Sequence, residues 1–366
     1  MMRNLIDRLV RPEIRALKAY HVPDATGLIK LDAMENPYTW PQELRREWLE
    51  LLAGTDVNRY PDPRGRGLEH ALREAMEIPA DMGILLGNGS DELIQILALT
   101  LASPGRKVLS LEPGFVMYRM IALFAGMAHV GVSLRADDFA LELASVLEAI
   151  EREEPELIFL AYPNNPTGNL LDPAAVERII EAAPGLVVVD EAYAPFTDTS
   201  FLPRLGDWPN LLVMRTVSKM GLAGLRLGYL AGPPEWIAEL DKTRLPYNVN
   251  VLTQASAAFA LRHRSVFDAQ TRLIRTERER LFVALARLEG IHPYPSEANF
   301  ILLRLPAGRA GPVFQELAAR GILVKNLDGA HPLLGDCLRV TVGRPEENAA
   351  FERALAAALR GVGETG

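Results

Sequence analysis

Lys219 lies in the run Arg215-Thr216-Val217-Ser218-Lys219-Met220-Gly221-Leu222-Ala223-Gly224-Leu225-Arg226, directly after an apolar stretch. A primary amine, two hydroxyls and a guanidinium around a glycine-rich turn suit a seat for pyridoxal phosphate. The amine can form a Schiff base with the cofactor aldehyde, while Ser218 and Arg226 can hold its phosphate ester. Only six of the 39 lysines and arginines are lysine, so a lysine in this apolar, glycine-rich setting is a poor candidate for solvent decoration. The run also reads as a helix cap followed by a snorkelling side chain, and other segments must decide between the two.

Two of those segments follow apolar runs. Tyr162-Pro163-Asn164-Asn165-Pro166-Thr167-Gly168 comes after one and Asp190-Glu191-Ala192-Tyr193 after the next. A carboxylate at the end of a buried strand is costly unless a cation pairs with it. A protonated pyridine nitrogen is such a cation, and Asp190 would keep it protonated so that the ring can draw electrons from a substrate carbon. Asn165 and Tyr193 could donate to the ring's phenolate oxygen. The competing readings are structural: Asn-Asn-Pro-Thr-Gly is a turn signal by itself, and Asp190-Glu191 could be a magnesium-binding pair. For the latter no Gly-x-x-x-x-Gly-Lys-Ser/Thr loop exists to hold a nucleotide, and Gly221 to Gly228 is wrongly spaced for a dinucleotide fingerprint. Gly87-Asn88-Gly89-Ser90-Asp91 can cradle a phosphate at a helix start. Phe115 could stack on a cofactor ring, with Tyr118 as the competing candidate.

The elements needed to carry these residues are legible as alternating apolar runs and amphipathic helices, the pattern of a mostly parallel sheet covered by helices. Strand-like runs lie at Gly83 to Leu86, Val108 to Leu111, Leu157 to Leu160, Leu186 to Val189 and Leu211 to Met214. Each leads into a polar or glycine-bearing loop, and in open α/β sheets ligands bind at the carboxyl ends of the strands. Ser90 is expected to cap a helix running to Leu101. From about Ala255 a long Arg-rich helix is expected through Leu288, then short strands at Phe300 to Arg304, Ile322 to Lys325 and Cys337 to Val342. The expected fold is α/β, with a large domain over 45–255 and a smaller α+β domain from 1–44 and 256–366 that includes an amino-terminal arm.

Composition bounds the rest. A net charge of −8 argues against a surface built for nucleic acid or an anionic membrane. No stretch approaches the roughly 20 apolar residues of a membrane span. The single cysteine, Cys337, excludes an internal disulfide and any multi-cysteine metal site, so no metal is expected and a reducing cytoplasm suits the chain. Residues Met1 to Lys18 mix apolar residues with Arg3, Arg8, Arg11 and Arg15, which reads as a docked arm rather than a secretory signal.

These motifs form an ordered set. Leu31-Asp32-Ala33-Met34-Glu35-Asn36-Pro37-Tyr38, Arg59-Tyr60-Pro61-Asp62-Pro63, Gly89-Ser90-Asp91-Glu92, Pro163 to Gly168, Asp190 to Tyr193, Ser218-Lys219 and Arg226-Leu227-Gly228-Tyr229 resemble the fold-type I, pyridoxal-phosphate-dependent aminotransferases. More narrowly, the set is similar to the histidinol-phosphate aminotransferases. Further matches at Leu245 to Asn250, Ser296 to Phe300 and Cys337 to Gly343 extend the resemblance over nearly the whole chain.

The resemblance implies roles by position. Lys219 would be the Schiff-base lysine and proton shuttle, Asp190 the pyridinium partner, and Tyr193 and Asn165 the phenolate partners. Ser90, Asp91, Ser218 and Arg226 would hold the cofactor phosphate, helped by the Gly89 backbone. Tyr60 would complete that phosphate site in a neighbouring subunit, making the chain a homodimer. Arg339 would grip the anionic end of the substrate, Tyr20 would close over the substrate phosphate, and Asn36 belongs to the matching substrate segment. Lys325 stands where many members carry a second arginine, and the stretch from Lys219 to Arg226 is one residue shorter than in many relatives. The implied reaction is transamination between L-histidinol phosphate and 2-oxoglutarate. Aromatic amino acid transamination and threonine-phosphate decarboxylation are the alternatives on this scaffold.

Overall fold

A computed structural model describes residues 2–19 and 23–361. The expected strands form, and the loops between them bring in others. In chain order they are β1 (Ile29–Lys30), β2 (Gly83–Gly87), β3 (Lys107–Glu112), β4 (Ala128–Ser133), β5 (Leu157–Ala161), β6 (Leu186–Asp190), β7 (Leu211–Thr216), β8 (Gly228–Gly232), β9 (His292–Pro293), β10 (Phe300–Arg304), β11 (Ile322–Leu323), β12 (Lys325–Asn326) and β13 (Cys337–Thr341). Seven of them make a central sheet in the order β2-β8-β7-β6-β5-β3-β4. Only β8 runs against its neighbours; β3 through β7 pair in parallel.

Side-chain alternation explains why these strands read as unbroken apolar runs. Ile158, Leu160, Val187 and Val189 pack into one core, whereas Leu157, Phe159, Leu186 and Val188 pack into another on the opposite face. Helices cover both faces, so both parities must be apolar. Val187, Val188 and Val189 are fully buried, each worth about 1.5–3 kcal/mol in removed apolar surface.

A third core sits between a four-stranded sheet, β12-β13-β10-β9, and the helices around it, with Phe300, Ile274 and Phe351 at its centre. Leu31 joins this core, and β1 pairs in parallel with β11. Chain just ahead of the Glu35-Asn36-Pro37 segment is thereby fixed to this third core.

Several local expectations are corrected. The helix expected from Ala255 to Leu288 is two helices, Val251–Arg262 and Arg264–Leu285, separated where His263 leaves helical geometry. The strand expected over Ile322 to Lys325 splits into β11 and β12, which serve different sheets. Ser90 is not a cap. Gly89, at φ 87°, holds the N-cap position with no side-chain bond, and Ser90 is the first helical residue. The amino-terminal arm is helical over Met2–Leu9 and Pro12–Arg15, and its Arg11 Nη2 donates to Phe124 O at 2.9 Å. That contact ties it to a helix beside the central sheet. Among the described residues no helix is long and apolar enough to cross a membrane.

Candidate active site

The parallel strands end together, and their carboxyl-terminal loops surround a cavity of about 400 Å³. β6 delivers Asp190, its last residue. β7 delivers Ser218 and Lys219, β5 leads to Asn165, β3 leads to Phe115, and β2 leads to the start of the helix Ser90–Leu101. β8 begins where β2 and β7 end, since Gly228 pairs with both Gly87 and Thr216. Arg226, two residues earlier, therefore reaches the same rim.

Asp190 is buried. Its Oδ2 accepts from the Tyr118 hydroxyl at 2.6 Å and its Oδ1 from the Ala192 amide at 3.1 Å. Burial pushes its carboxyl up to about 6, against the opposing pull of the Tyr118 hydrogen bond. A carboxylate so desolvated is stabilised in its charged form by a cation placed beside it. Across the cavity, Lys219 sits in a tight turn over Ser218–Leu222, its Nζ 3.4 Å from Ala33 O. Burial, and then the positive charge of Arg339, pushes its ammonium down to about 8. Gly221 permits the turn with φ 127°, and a Cβ there would stand 3.0 Å from Asn36 Nδ2.

At one end of the cavity, atoms suited to a phosphate gather. The Ser90 hydroxyl is buried without a hydrogen-bond partner and lines the wall. Ser218 Oγ lies 2.9 Å from Thr216 Oγ1. Arg226, at φ 50°, brings Nη2 to 3.8 Å from Asp91, so Asp91 faces the guanidinium. A Cβ on Gly89 would come within 2.7 Å of Arg226 Nη2, so glycine serves there both for its positive φ and for room. The amides of the helix start add their own pull on an anion.

Tyr193 is buried, with the Lys219 amine 5.9 Å from its ring centre. Asn165 Oδ1 accepts from Arg339 Nη1 at 2.5 Å. A guanidinium can only donate, which fixes the oxygen and leaves the amide N–H groups for another acceptor. Arg339 also donates to Asp32 O at 3.1 Å and lies 5.2 Å from the Phe300 ring centre. β12 and β13 place Lys325 directly opposite Arg339. Both line an adjoining cavity that shares Met34, Phe115 and Asn165 with the first.

Other expected residues fall elsewhere. Asn36 does not line the main cavity. Its Nδ2 donates to Met220 O and Gln270 Oε1, and its Oδ1 takes the Tyr38 amide, so it braces the lysine turn from behind. Tyr60 is 81 % exposed and stacked on Tyr247 at 4.6 Å, away from this chain's own cavity. Tyr20 lies outside the described residues. Between the two stacking candidates, Phe115 lines the cavity. Tyr118 is already stacked on Phe159 and bonded to Asp190.

The residue sequence reasoning missed is this Tyr118 in its bonding role. Its place three residues after Phe115, which caps the helix carrying it, was the available signal. Also missed was the support behind Asp190: Glu191 is buried and takes two hydrogen bonds from Arg215, with Ser200 and the Phe201 amide closing the network. The donor set fits pyridoxal phosphate, with an amine, a desolvated carboxylate, amide donors and a phosphate cup around one space.

A sequence model of the family described as aminotransferase class I and II matches residues 26–355. The chain belongs to this family. It is 55 % identical over 357 residues to histidinol-phosphate aminotransferase 2 of Nitrosococcus oceani, covering 98 % of this chain and 99 % of that one. Identity to histidinol-phosphate aminotransferase of Chromobacterium violaceum is 57 % over 354 residues, with 97 % and 99 % covered. Among solved structures, histidinol-phosphate aminotransferase from Sinorhizobium meliloti, in complex with pyridoxal-5'-phosphate, superposes with a TM-score of 0.86 at 26 % identity, covering 97 % of this chain and 98 % of that one. The fold is therefore the fold-type I architecture of these aminotransferases.

Proposed function

We propose that the chain is a pyridoxal-phosphate-dependent aminotransferase that moves an amino group between L-histidinol phosphate and 2-oxoglutarate, giving imidazole-acetol phosphate and L-glutamate, a step of histidine biosynthesis. The observation that carries the chemistry is the convergence of Lys219, Asp190 and the Ser90–Arg226 cup on one cavity. The relatives that share more than half their residues over the full length carry the substrate.

When bound, the cofactor supplies an aldehyde that links amines and a ring that accepts the electron pair left at the substrate Cα. The protein does the rest. Lys219, with its ammonium held down to about 8, offers a free amine over part of the working range and can carry a proton between Cα and the cofactor C4′ carbon. Asp190 would hold a proton on the ring nitrogen, while Asn165 and Tyr193 would donate to the ring oxygen. Ser90, Ser218, Arg226 and the Gly89–Ser90 amides hold the phosphate. Arg339 and Lys325 meet the substrate's anionic end, where a guanidinium fork suits phosphate and carboxylate alike.

The exposed Tyr60 supports a composite site, in which each cavity is completed by a second copy of the chain in a cytoplasmic homodimer. The two-part division, 45–255 and 1–44 with 256–366, belongs to the same proposal with two corrections: the seam at 255 falls inside the helix Val251–Arg262, whose Ala257 and Leu261 pack into a core of the larger part, and the arm's Arg11 reaches Phe124 of that part; the smaller sheet carries Arg339 and Lys325. Steady-state kinetics with histidinol phosphate, phenylalanine and threonine phosphate test the reading. Histidinol phosphate is expected to be the preferred amino donor; a preference for phenylalanine, or carbon dioxide release from threonine phosphate, would replace the assignment.

A further inference from the structure

Tyr118 is the third residue of the helix Val116–Ala125 and is only 2 % exposed. Its ring lies flat on Phe159 of β5, with centres 4.5 Å apart and planes 1° from parallel, and Phe115 meets it edge-on at 5.5 Å. Two rings thus fix the phenol in place, and its hydroxyl ends 2.6 Å from Asp190 Oδ2. The other Asp190 oxygen takes the Ala192 amide, so both oxygens are directed by protein donors.

We propose that Tyr118 is a positioning residue that acts through Asp190: its hydroxyl donates to Oδ2, holds the carboxylate ionised and aimed, and so keeps the proton shared with a pyridine ring nitrogen on the nitrogen. The inference rests on the pyridoxal-phosphate reading above. The proton between a carboxylate and a ring nitrogen can sit on either atom, and any donor that stabilises the carboxylate anion favours the charged pair. Burial and the charge of Asp190 push the phenol well above its ordinary value, so Tyr118 serves as a donor and not as a second anion. Its hydrogen bond also opposes the burial that pushes Asp190 upward. The hydroxyl therefore offsets part of the desolvation that its own hydrophobic neighbours impose.

The test uses Tyr118→Phe, which keeps the ring on Phe159, and a series with fluorinated tyrosines at position 118, which keeps the shape and grades the phenol acidity. In holoenzyme prepared with ¹⁵N-labelled pyridoxal phosphate, the ring-nitrogen resonance of Tyr118→Phe is expected to move toward the unprotonated position. More acidic fluorotyrosines should move it the opposite way. In the cofactor-free chain, the Asp190 carboxyl, followed by ¹³C resonance, should titrate on the order of one pH unit higher in Tyr118→Phe than in the parent. A tyrosine that only fills space would leave both readouts insensitive to phenol acidity, and that result overturns the proposal. Should Tyr118→Phe not fold, the fluorotyrosine series decides alone. A parent chain that binds no pyridoxal phosphate would sink the proposed function, while titration of the cofactor-free chain would still decide whether Tyr118 acts on Asp190.

Discussion

Lys219 and Asp190 meet the same desolvation with opposite consequences. Burial removes the lysine's charge more readily and makes the carboxylate harder to ionise, so each group sits nearer neutrality than it would in water. For Lys219 the sign is direct: below about pH 8 the amine is protonated and unreactive, above it the amine is free. Trapping pyridoxal phosphate on the cofactor-free chain with borohydride should give an adduct on Lys219 whose yield rises with a midpoint near 8. A midpoint near 10.5, the value of an unperturbed lysine, would show that the amine is solvated. Arg339 and Lys325 face each other across two strands but differ in geometry. A charge-assisted bond contributes about 1.5–3 kcal/mol, so Arg339→Ala should lower kcat/KM for both half-reactions by roughly ten- to more than a hundredfold. Lys325→Ala should impair the histidinol-phosphate half more than the glutamate half, and single-turnover kinetics with each amino donor separates the two. That Lys219, Asp190, Asn165 and Arg226 line one cavity was legible because each stands in a short run of residues suited to one ligand. Asn36 was not, because a matching motif does not reveal which way an amide turns, and here it turns toward the helix at Gln270.

At the scale of elements, strands buried on both faces announced themselves. β4 did not: Ala128-His129-Val130-Gly131-Val132-Ser133 lies at the sheet edge and is largely part-exposed, so its apolar signal is thin. β8 was hidden by the glycines at each end, Gly228 and Gly232. Those glycines are structural requirements, since a Cβ on Gly228 would stand 2.9 Å from Gly89 C and Ser90 N. The break at His263 was unreadable because Leu261-Arg262-His263-Arg264 keeps a helical texture without glycine or proline. Between β6 and β7, the Glu191–Arg215 pair joins the two strands just behind the site, with Glu191 1 % and Arg215 15 % exposed. Removing one member of a buried pair leaves the other charge uncompensated, at about 3–5 kcal/mol. Glu191→Ala should therefore lower the urea midpoint by a corresponding amount in the cofactor-free chain. An unchanged midpoint would mean that water reaches Arg215 and solvates it.

At the scale of the whole molecule, one chain leaves a tyrosine in the open. Tyr60 and Tyr247 stack on each other at the surface, and Leu245 nearby is 71 % exposed. If Tyr60 completes another copy's phosphate cup, two defective chains can repair each other. Mixing Tyr60→Phe with Lys219→Ala protein under conditions of subunit exchange should create heterodimers with one site that carries both native residues. Activity should rise above that of either parent, and a mixture that stays inactive, or a fully active monomer by light scattering, would refute the composite site. The expectation of such an assembly comes only from the resemblance, because an exposed tyrosine in a proline-rich loop has no periodicity to announce a partner.

Lys219 and Arg226 sit on a single excursion whose two ends are clamped together by the pairing of Thr216 with Gly228. The antiparallel course of β8 makes this excursion a caliper of fixed span: one jaw is the amine, the other the guanidinium, and neither can be reset without moving its mate. If Lys219 and Arg226 hold the two ends of one cofactor, the backbone sets the distance between them and the side chains only trim it.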